Sequence, residues 1–244
     1  MDAVCLVSKT PDNIWIHFLN TFKLYDTFII INDNDYIIDD KFKNLKVKII
    51  KIDNKECYAA GFNNGMKTVI MERFPEITSW EKALYYFTTI NLNYKKIWFI
   101  EDDCFFMNEN ILKNIDKKYV VEDLLTKSNF HTNEINPQGW HWESINKLIP
   151  PPRCISLIQC CRLSKNLLDK IKNYANSNKR LIFVEAMFNT FAFQHKLKTA
   201  CPKELSKLEC FNYDNIQEIN DQFIYHSIKD ITKHQEIRNN FIKK

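Results

Sequence analysis

Three consecutive carboxylates, Glu101-Asp102-Asp103, close the apolar run Ile97-Trp98-Phe99-Ile100, and Cys104-Phe105-Phe106 turns apolar again behind them. A short, bounded apolar run of this kind reads as a buried strand. On an extended chain alternate residues share a face, so Glu101 and Asp103 point one way and Asp102 the other. Like charges held that close either raise a pKa or take a cation between them. Hard oxygen donors suit Mg²⁺ or Mn²⁺, and the carboxyl end of a strand is where open α/β sheets bind ligands. The plainer alternative is a solvated strand end or a helix N-cap, since acids are common in turns.

The elements that must position these acids follow from periodicity. Residues 79–93 carry Trp80, Ala83, Leu84 and Phe87 at helical spacing, which predicts an amphipathic helix ahead of the acidic strand. Ser79 fits its N-cap, with Lys82 one turn later. Short apolar runs at 3–8, 27–31, 47–52 and 154–159 predict further strands, and 13–22, 108–116, 164–175 and 228–242 predict helices. Ser164 is expected to cap the third of these. Residues 56–73 read as a loop with helical character, 119–125 as a further element, and 221–230 alternate like a strand that then turns. Residues 131–152, rich in His, Asn, Trp and Pro and including Asn136, read as a long loop.

The run from Ser79-Trp80-Glu81-Lys82-Ala83 through Ile97-Trp98-Phe99-Ile100-Glu101-Asp102-Asp103 resembles the metal-binding DXD region of GT-A glycosyltransferases. It is similar in particular to the small glycosyltransferase domains of large DNA viruses, the chlorella-virus type. Glu101 stands where that motif has its first Asp. The resemblance runs from Ala3 to about Arg238 and implies an α/β GT-A fold, the nucleotide-diphospho-sugar transferase fold, with a mixed, mostly parallel central sheet flanked by helices. One domain, residues 1–244, would carry it.

The resemblance implies roles residue by residue. Val7, Ser8 and Asp33 would contact the donor's base and ribose, and Ser79 and Lys82 its nucleotide or sugar. Asp103 would hold a Mn²⁺ or Mg²⁺ ion, with Glu101 or Asp102 assisting through the ribose or a bound water. His226 resembles the late histidine that completes the metal shell, and Lys229 the cation facing the departing diphosphate. Such a cation and a divalent ion would together neutralise the charge growing on the leaving group. Glu185 resembles the catalytic base of inverting enzymes, and a carboxylate within hydrogen-bond reach can take the acceptor hydroxyl's proton. The residues also allow Glu185 as a first-turn acid favoured by the helix dipole. Trp140 and Trp142 offer flat faces on which acceptor sugar rings could stack, or pin a long loop to the core.

Bulk properties bound these readings. The 244 residues suffice for one domain with a substantial core, and 45% hydrophobic with 26% charged residues is a globular composition. Only Gly61, Gly65 and Gly139 are present, which excludes a glycine-rich dinucleotide loop or P-loop. A net charge of +4 without a basic tract does not predict nucleic-acid binding. The eight cysteines, Cys210 among them, include no Cys-x-x-Cys pair and several sit in apolar runs, so reduced, mostly buried thiols are expected. Asp2, Lys9 and Asp12 interrupt the N-terminus and no run reaches about 18 apolar residues. A cytoplasmic protein without a membrane span is expected, in host cytoplasm or a viral factory if viral.

The function expected is transfer of a sugar from a nucleotide-sugar donor, UDP-linked, to a glycan or glycoprotein hydroxyl. Two other classes stay open. One is a nucleotide-sugar or glycan-binding module without turnover. The other is a sugar nucleotidyltransferase, which the absence of glycine from residues 8–12 disfavours.

Overall fold

The computed structural model describes residues 2–68, 74–135, 137–208, 213 and 216–242. Asn136, Cys210 and the end of the 56–73 loop lie outside the described residues.

A seven-stranded sheet organises the chain. Its strands are β1 (Ala3–Ser8), β2 (Asp26–Ile31), β3 (Lys48–Ile50), β4 (Lys96–Glu101), β5 (Leu124–Thr132), β6 (Arg153–Ser164) and β7 (Thr199–Ala200), in the order β3-β2-β1-β4-β6-β5-β7. β1, β2, β3 and β4 run parallel, β6 is antiparallel to β4 and β5, and β7 is parallel to β5. The expected mixed, mostly parallel sheet is therefore present. In the parallel half the strands end together at Ser8, Ile31 and Glu101, with Val7 opposite Glu101 across the β1–β4 ladder.

Side-chain alternation divides the core into two layers. Ala3, Cys5, Val7, Ile97 and Phe99 face one side, where α2 (Asn54–Ala59), α3 (Ser79–Tyr85), α6 (Lys165–Asn178) and α7 (Val184–Gln194) pack. Val4, Leu6, Trp98 and Ile100 face the other, against α1 (Asn13–Asn20) and α4 (Asn110–Lys118). Burial of each large apolar side chain in these layers contributes about 1.5–3 kcal/mol. The connection from β5 to β6 carries one helical turn, α5 (Trp142–Ile145). A small parallel ladder of β8 (Lys207–Leu208) and β9 (Tyr225–His226) brings the late part of the chain to the end of β4, where Phe105 bridges to Tyr225. The closing helix α8 (Ile231–Ile242) packs on α1.

Several boundaries differ from the sequence expectation. Thr78, not Ser79, is the N-cap of α3, because Thr78 and Glu81 form a reciprocal capping box. The expected helix of residues 79–93 stops at Tyr85 and continues as a π-helical turn, Tyr86–Ile90. β6 is twice the expected strand, since pairing on both edges sustains it through Ser164. The alternating stretch 221–230 yields only the two-residue β9. Ser164 does cap α6, accepting from Leu167 N at 3.2 Å. Cys5, Cys57, Cys104, Cys154, Cys160 and Cys161 are buried thiols, and Cys201 is exposed.

Beneath the sheet lies an ion pair not foreseen from the sequence. Arg162 Nη1 donates to Asp116 Oδ1 at 2.5 Å with both groups buried, and Nη2 donates to Tyr119 O and Glu122 O. Tyr25 OH and Trp98 Nε1 also donate to Asp116. The carboxylate is thus compensated and hydrogen-bonded, as a buried charge requires.

Candidate active site

The acidic triplet divides across the sheet as strand alternation demands. Glu101 ends β4 on the α3 and α7 side, where Trp80 Nε1 donates to its Oε1 at 2.9 Å. Asp102, the next residue in a tight turn, reaches the opposite side. There the single Ser8 hydroxyl proton is shared between Asp102 Oδ2 at 2.5 Å and Thr10 O at 2.7 Å. Trp15 Nε1 donates to Asp102 O at 2.7 Å, pinning the turn to α1. Asp103 returns to the Glu101 side, and Ile228 N donates to its carbonyl at 2.8 Å, tying the turn to the segment after β9.

That tie delivers a histidine. His226 Nε2 lies 3.2 Å from Asp103 Oδ1. Ligand atoms of Glu101, Asp103 and His226 all fall within 4.8 Å of one another. Two carboxylates and an imidazole at this separation form a donor set suited to a divalent first-row ion or Mg²⁺. The sequence reading left Glu101 or Asp102 to assist the metal through the ribose or a bound water; in the structure Glu101 lies with Asp103 and His226, and Asp102 bonds Ser8.

The electrostatics of the cluster follow from burial and proximity. Desolvation, then the Asp103 charge, push the Glu101 carboxyl up to about 7, opposed by the Trp80 hydrogen bond and His226. Burial would also raise Asp103, but the hydrogen bond and charge of His226 outweigh it and hold that carboxyl below its usual range. Glu185, in the first turn of α7, is pushed up to about 7 by burial and then by the Glu101 charge, with His226 opposing. Glu185 therefore stands within electrostatic reach of the cluster. A carboxyl poised near neutrality beside such a cluster is fitted for proton transfer.

The remaining predicted residues fall at different depths. Val7 and Ser8 are buried at the end of β1, beside Asp33, whose carboxylate accepts from Asp35 N at 2.8 Å. Lys82 is fully buried; its Nζ donates to Asn32 O at 2.7 Å and to Asn34 Oδ1. It thereby anchors the loop after β2, and desolvation lowers its pKa. Ser79 is buried at the start of α3. Lys229 is exposed one residue beyond the Ile228 tether. Trp142 is packed in the core, so Trp140 is the half-buried member of the pair. The Trp140 ring sits 5.7 Å from Phe183, two residues before Glu185, on a backbone held at φ +45°.

Gln159 was not singled out by sequence. Its Nε2 lies 3.5 Å from Glu185 Oε1, while its buried Oε1 and the buried Ser156 Oγ have no partner among the described residues. Both are polar interruptions of the apolar β6 run, which was the available signal. Trp80 was read only as a core residue of α3, and its indole N–H gave no sequence cue.

No protein-family model matches the chain, and comparison with curated proteins finds no match. Solved structures do match. An active-site mutant of the galactosyltransferase LgtC superposes with a TM-score of 0.51 at 8% identity, covering 98% of this chain and 96% of that one. The chain has a GT-A fold. Two further structures are less alike. The mannosyltransferase Ktr4p from S. cerevisiae gives a TM-score of 0.40 at 12% identity over 78% of this chain, which spans 64% of that protein. The 4-diphosphocytidyl-2C-methyl-D-erythritol synthase of Anaerococcus prevotii gives 0.48 at 10% identity, covering 100% and 96%. At such identities the GT-A fold is established and the reaction must be argued from the site.

Proposed function

We propose that this chain is a metal-dependent glycosyltransferase of the DXD type. It moves a sugar from a nucleotide-sugar donor, UDP-linked, to a hydroxyl of a glycan or glycoprotein, with inversion at the anomeric carbon. One observation carries the reading: the convergence of Glu101, Asp103 and His226 at the carboxyl end of the parallel strands, with Glu185 close enough to feel their charge.

Asp103 and His226, joined by Glu101, would hold Mn²⁺ or Mg²⁺. Such an ion supplies charge neutralisation to a departing nucleoside diphosphate. The protein's own groups do the rest. Ser8 and the Trp15 indole fix Asp102 at the end of β1, and Lys82 holds the loop bearing Asp33, so the face offered to the nucleotide is preorganised. Lys229 is assigned to the leaving diphosphate and Trp140 to the acceptor ring, with Trp142 supporting that loop from the core. Glu185, in its ionised form, accepts the proton of the attacking hydroxyl.

The test is calorimetric titration of UDP, then GDP, with Mn²⁺ present or chelated, into wild type and Asp103→Asn, followed by product analysis with a matching nucleotide sugar. Metal-dependent binding of one nucleotide that Asp103→Asn abolishes, with release of nucleoside diphosphate, is expected. Metal-independent binding, or none, would overturn the assignment, and release of pyrophosphate would make the protein a nucleotidyltransferase instead. Binding without turnover would make it a binding module.

A further inference from the structure

On the opposite side of the sheet from Glu185, a groove of about 520 Å³ opens between α1 and α8. This lies within the roughly 300–1,000 Å³ typical of small-molecule sites. Ile14, Phe18, Met107 and Phe241 supply apolar walls, Gln235 stands at the α8 side, and no carboxylate lines it among the described residues. Phe241 is 41% exposed, a large ring left on the surface of the groove.

Arg238 supplies the charge. Its guanidinium carbon sits 3.5 Å from the Phe18 ring centroid and 4.9 Å from that of Phe105. Nε and Nη2 donate to Phe106 O at 3.3 and 3.1 Å. A guanidinium has five N–H donors, and those of Nη1 have no partner among the described residues. Burial pulls the Arg238 pKa down to about 9, and among the described residues no carboxylate offsets it. A half-buried cation held between rings, with no counter-ion among the described residues and with donors to spare, costs free energy that an anion would recover.

We propose that the α1–α8 groove is a second ligand site, binding a single-chain amphiphile whose anionic head, a carboxylate or phosphate monoester, pairs with Arg238 while its tail lies along Phe18 and Phe241. The site is independent of the sugar-transfer reading, since it uses no residue of the Glu101 cluster.

Calorimetry on the full chain tests it, with dodecanoate, dodecyl phosphate, dodecanol and inorganic phosphate as probes, each below its micelle threshold. At least one anionic amphiphile is expected to bind saturably, and at least tenfold more tightly than dodecanol or inorganic phosphate; which head group wins identifies the source. Arg238→Gln should weaken that ligand at least tenfold and leave dodecanol unchanged. Gln235→Trp, on the exposed face of α8, fills the groove with Arg238 intact and should also abolish binding; it decides the matter if Arg238→Gln fails to fold. Dodecanol or inorganic phosphate binding as tightly as the amphiphile, binding indifferent to Gln235→Trp, or no saturable binding would each overturn the proposal.

Discussion

The indole N–H of Trp80 points at Glu101 Oε1 from 2.9 Å, so the first turn of α3 orients the acid that ends β4. Groups that hold a metal ligand in place typically contribute a factor of about 10–100 in metal affinity. Trp80→Phe keeps most of the ring packing and removes the donor. Its Mn²⁺ affinity, measured by titration calorimetry on the folded variant, should fall by about that factor.

Glu185→Gln removes the proposed proton acceptor without changing side-chain size. Turnover should fall by about 10²–10⁴-fold while nucleotide affinity is retained. The pH profile gives the sign. Glu185 acts as a base only when ionised, and its carboxyl is raised to about 7, so kcat/KM should climb as pH rises toward neutrality and the Gln variant should lose that limb. A profile unchanged by the substitution would remove Glu185 from the base role.

In metal-free protein the Glu101 and Glu185 contribution to stability should fall as pH rises from about 4.5 to about 7. Both carboxyls have folded-state pKa values raised to about 7 from an ordinary 4.5, so each binds more proton folded than unfolded across that window, whereas buried His234, lowered to about 4, contributes with the opposite sign. The contribution, on the order of 1–3 kcal/mol per carboxyl, is complete below the window and gone above it. Urea unfolding of wild type and of Glu185→Gln at pH 5 and pH 8 isolates it, because the histidine contributions are common to both proteins. Mn²⁺ should stabilise the protein more at pH 8 than at pH 5, because ligands must be deprotonated to bind.

Arg162→Met leaves the Asp116 carboxylate buried without its cation and should cost about 3–5 kcal/mol in urea unfolding. Replacing both partners, Arg162→Met with Asp116→Leu, should cost less than that single change, because no buried charge is stranded. Nucleotide binding should be unaffected wherever the protein remains folded.

The parallel half of the fold was legible because its strands are short and apolar and its helices periodic: β1 spans the residues that composition marks. The candidate site was legible where neighbours in sequence are neighbours in space, as with Glu101 and Asp103. Contacts closed by the return of the chain were not legible in local pattern; His226, which returns to Asp103, was named only through the family resemblance. The Trp80 indole, Gln159 opposite the end of β4, and Arg162 reaching Asp116 all depend on strand and helix register, which local pattern does not encode. Thr78 displaced Ser79 as the cap of α3 because Glu81, three residues after Thr78, completes a capping box there, a signature that was present but outweighed by the apolar pattern starting at Trp80.

The split of the acidic triplet between the two faces of the sheet makes the site sensitive to chain length in β4 more than to residue identity there. Losing one residue between Lys96 and Ile100 would exchange the outlooks of Glu101 and Asp102, sending one toward α1 and bringing the other to His226. Losing two would restore the outlooks but draw the acids back along the ladder, away from Ser8 and the Asp103–Ile228 tether. Insertions and deletions in this strand should therefore be more disruptive than exchanges among Ile, Val and Leu, and the loops on the amino-end side of the sheet are where length variation can be absorbed.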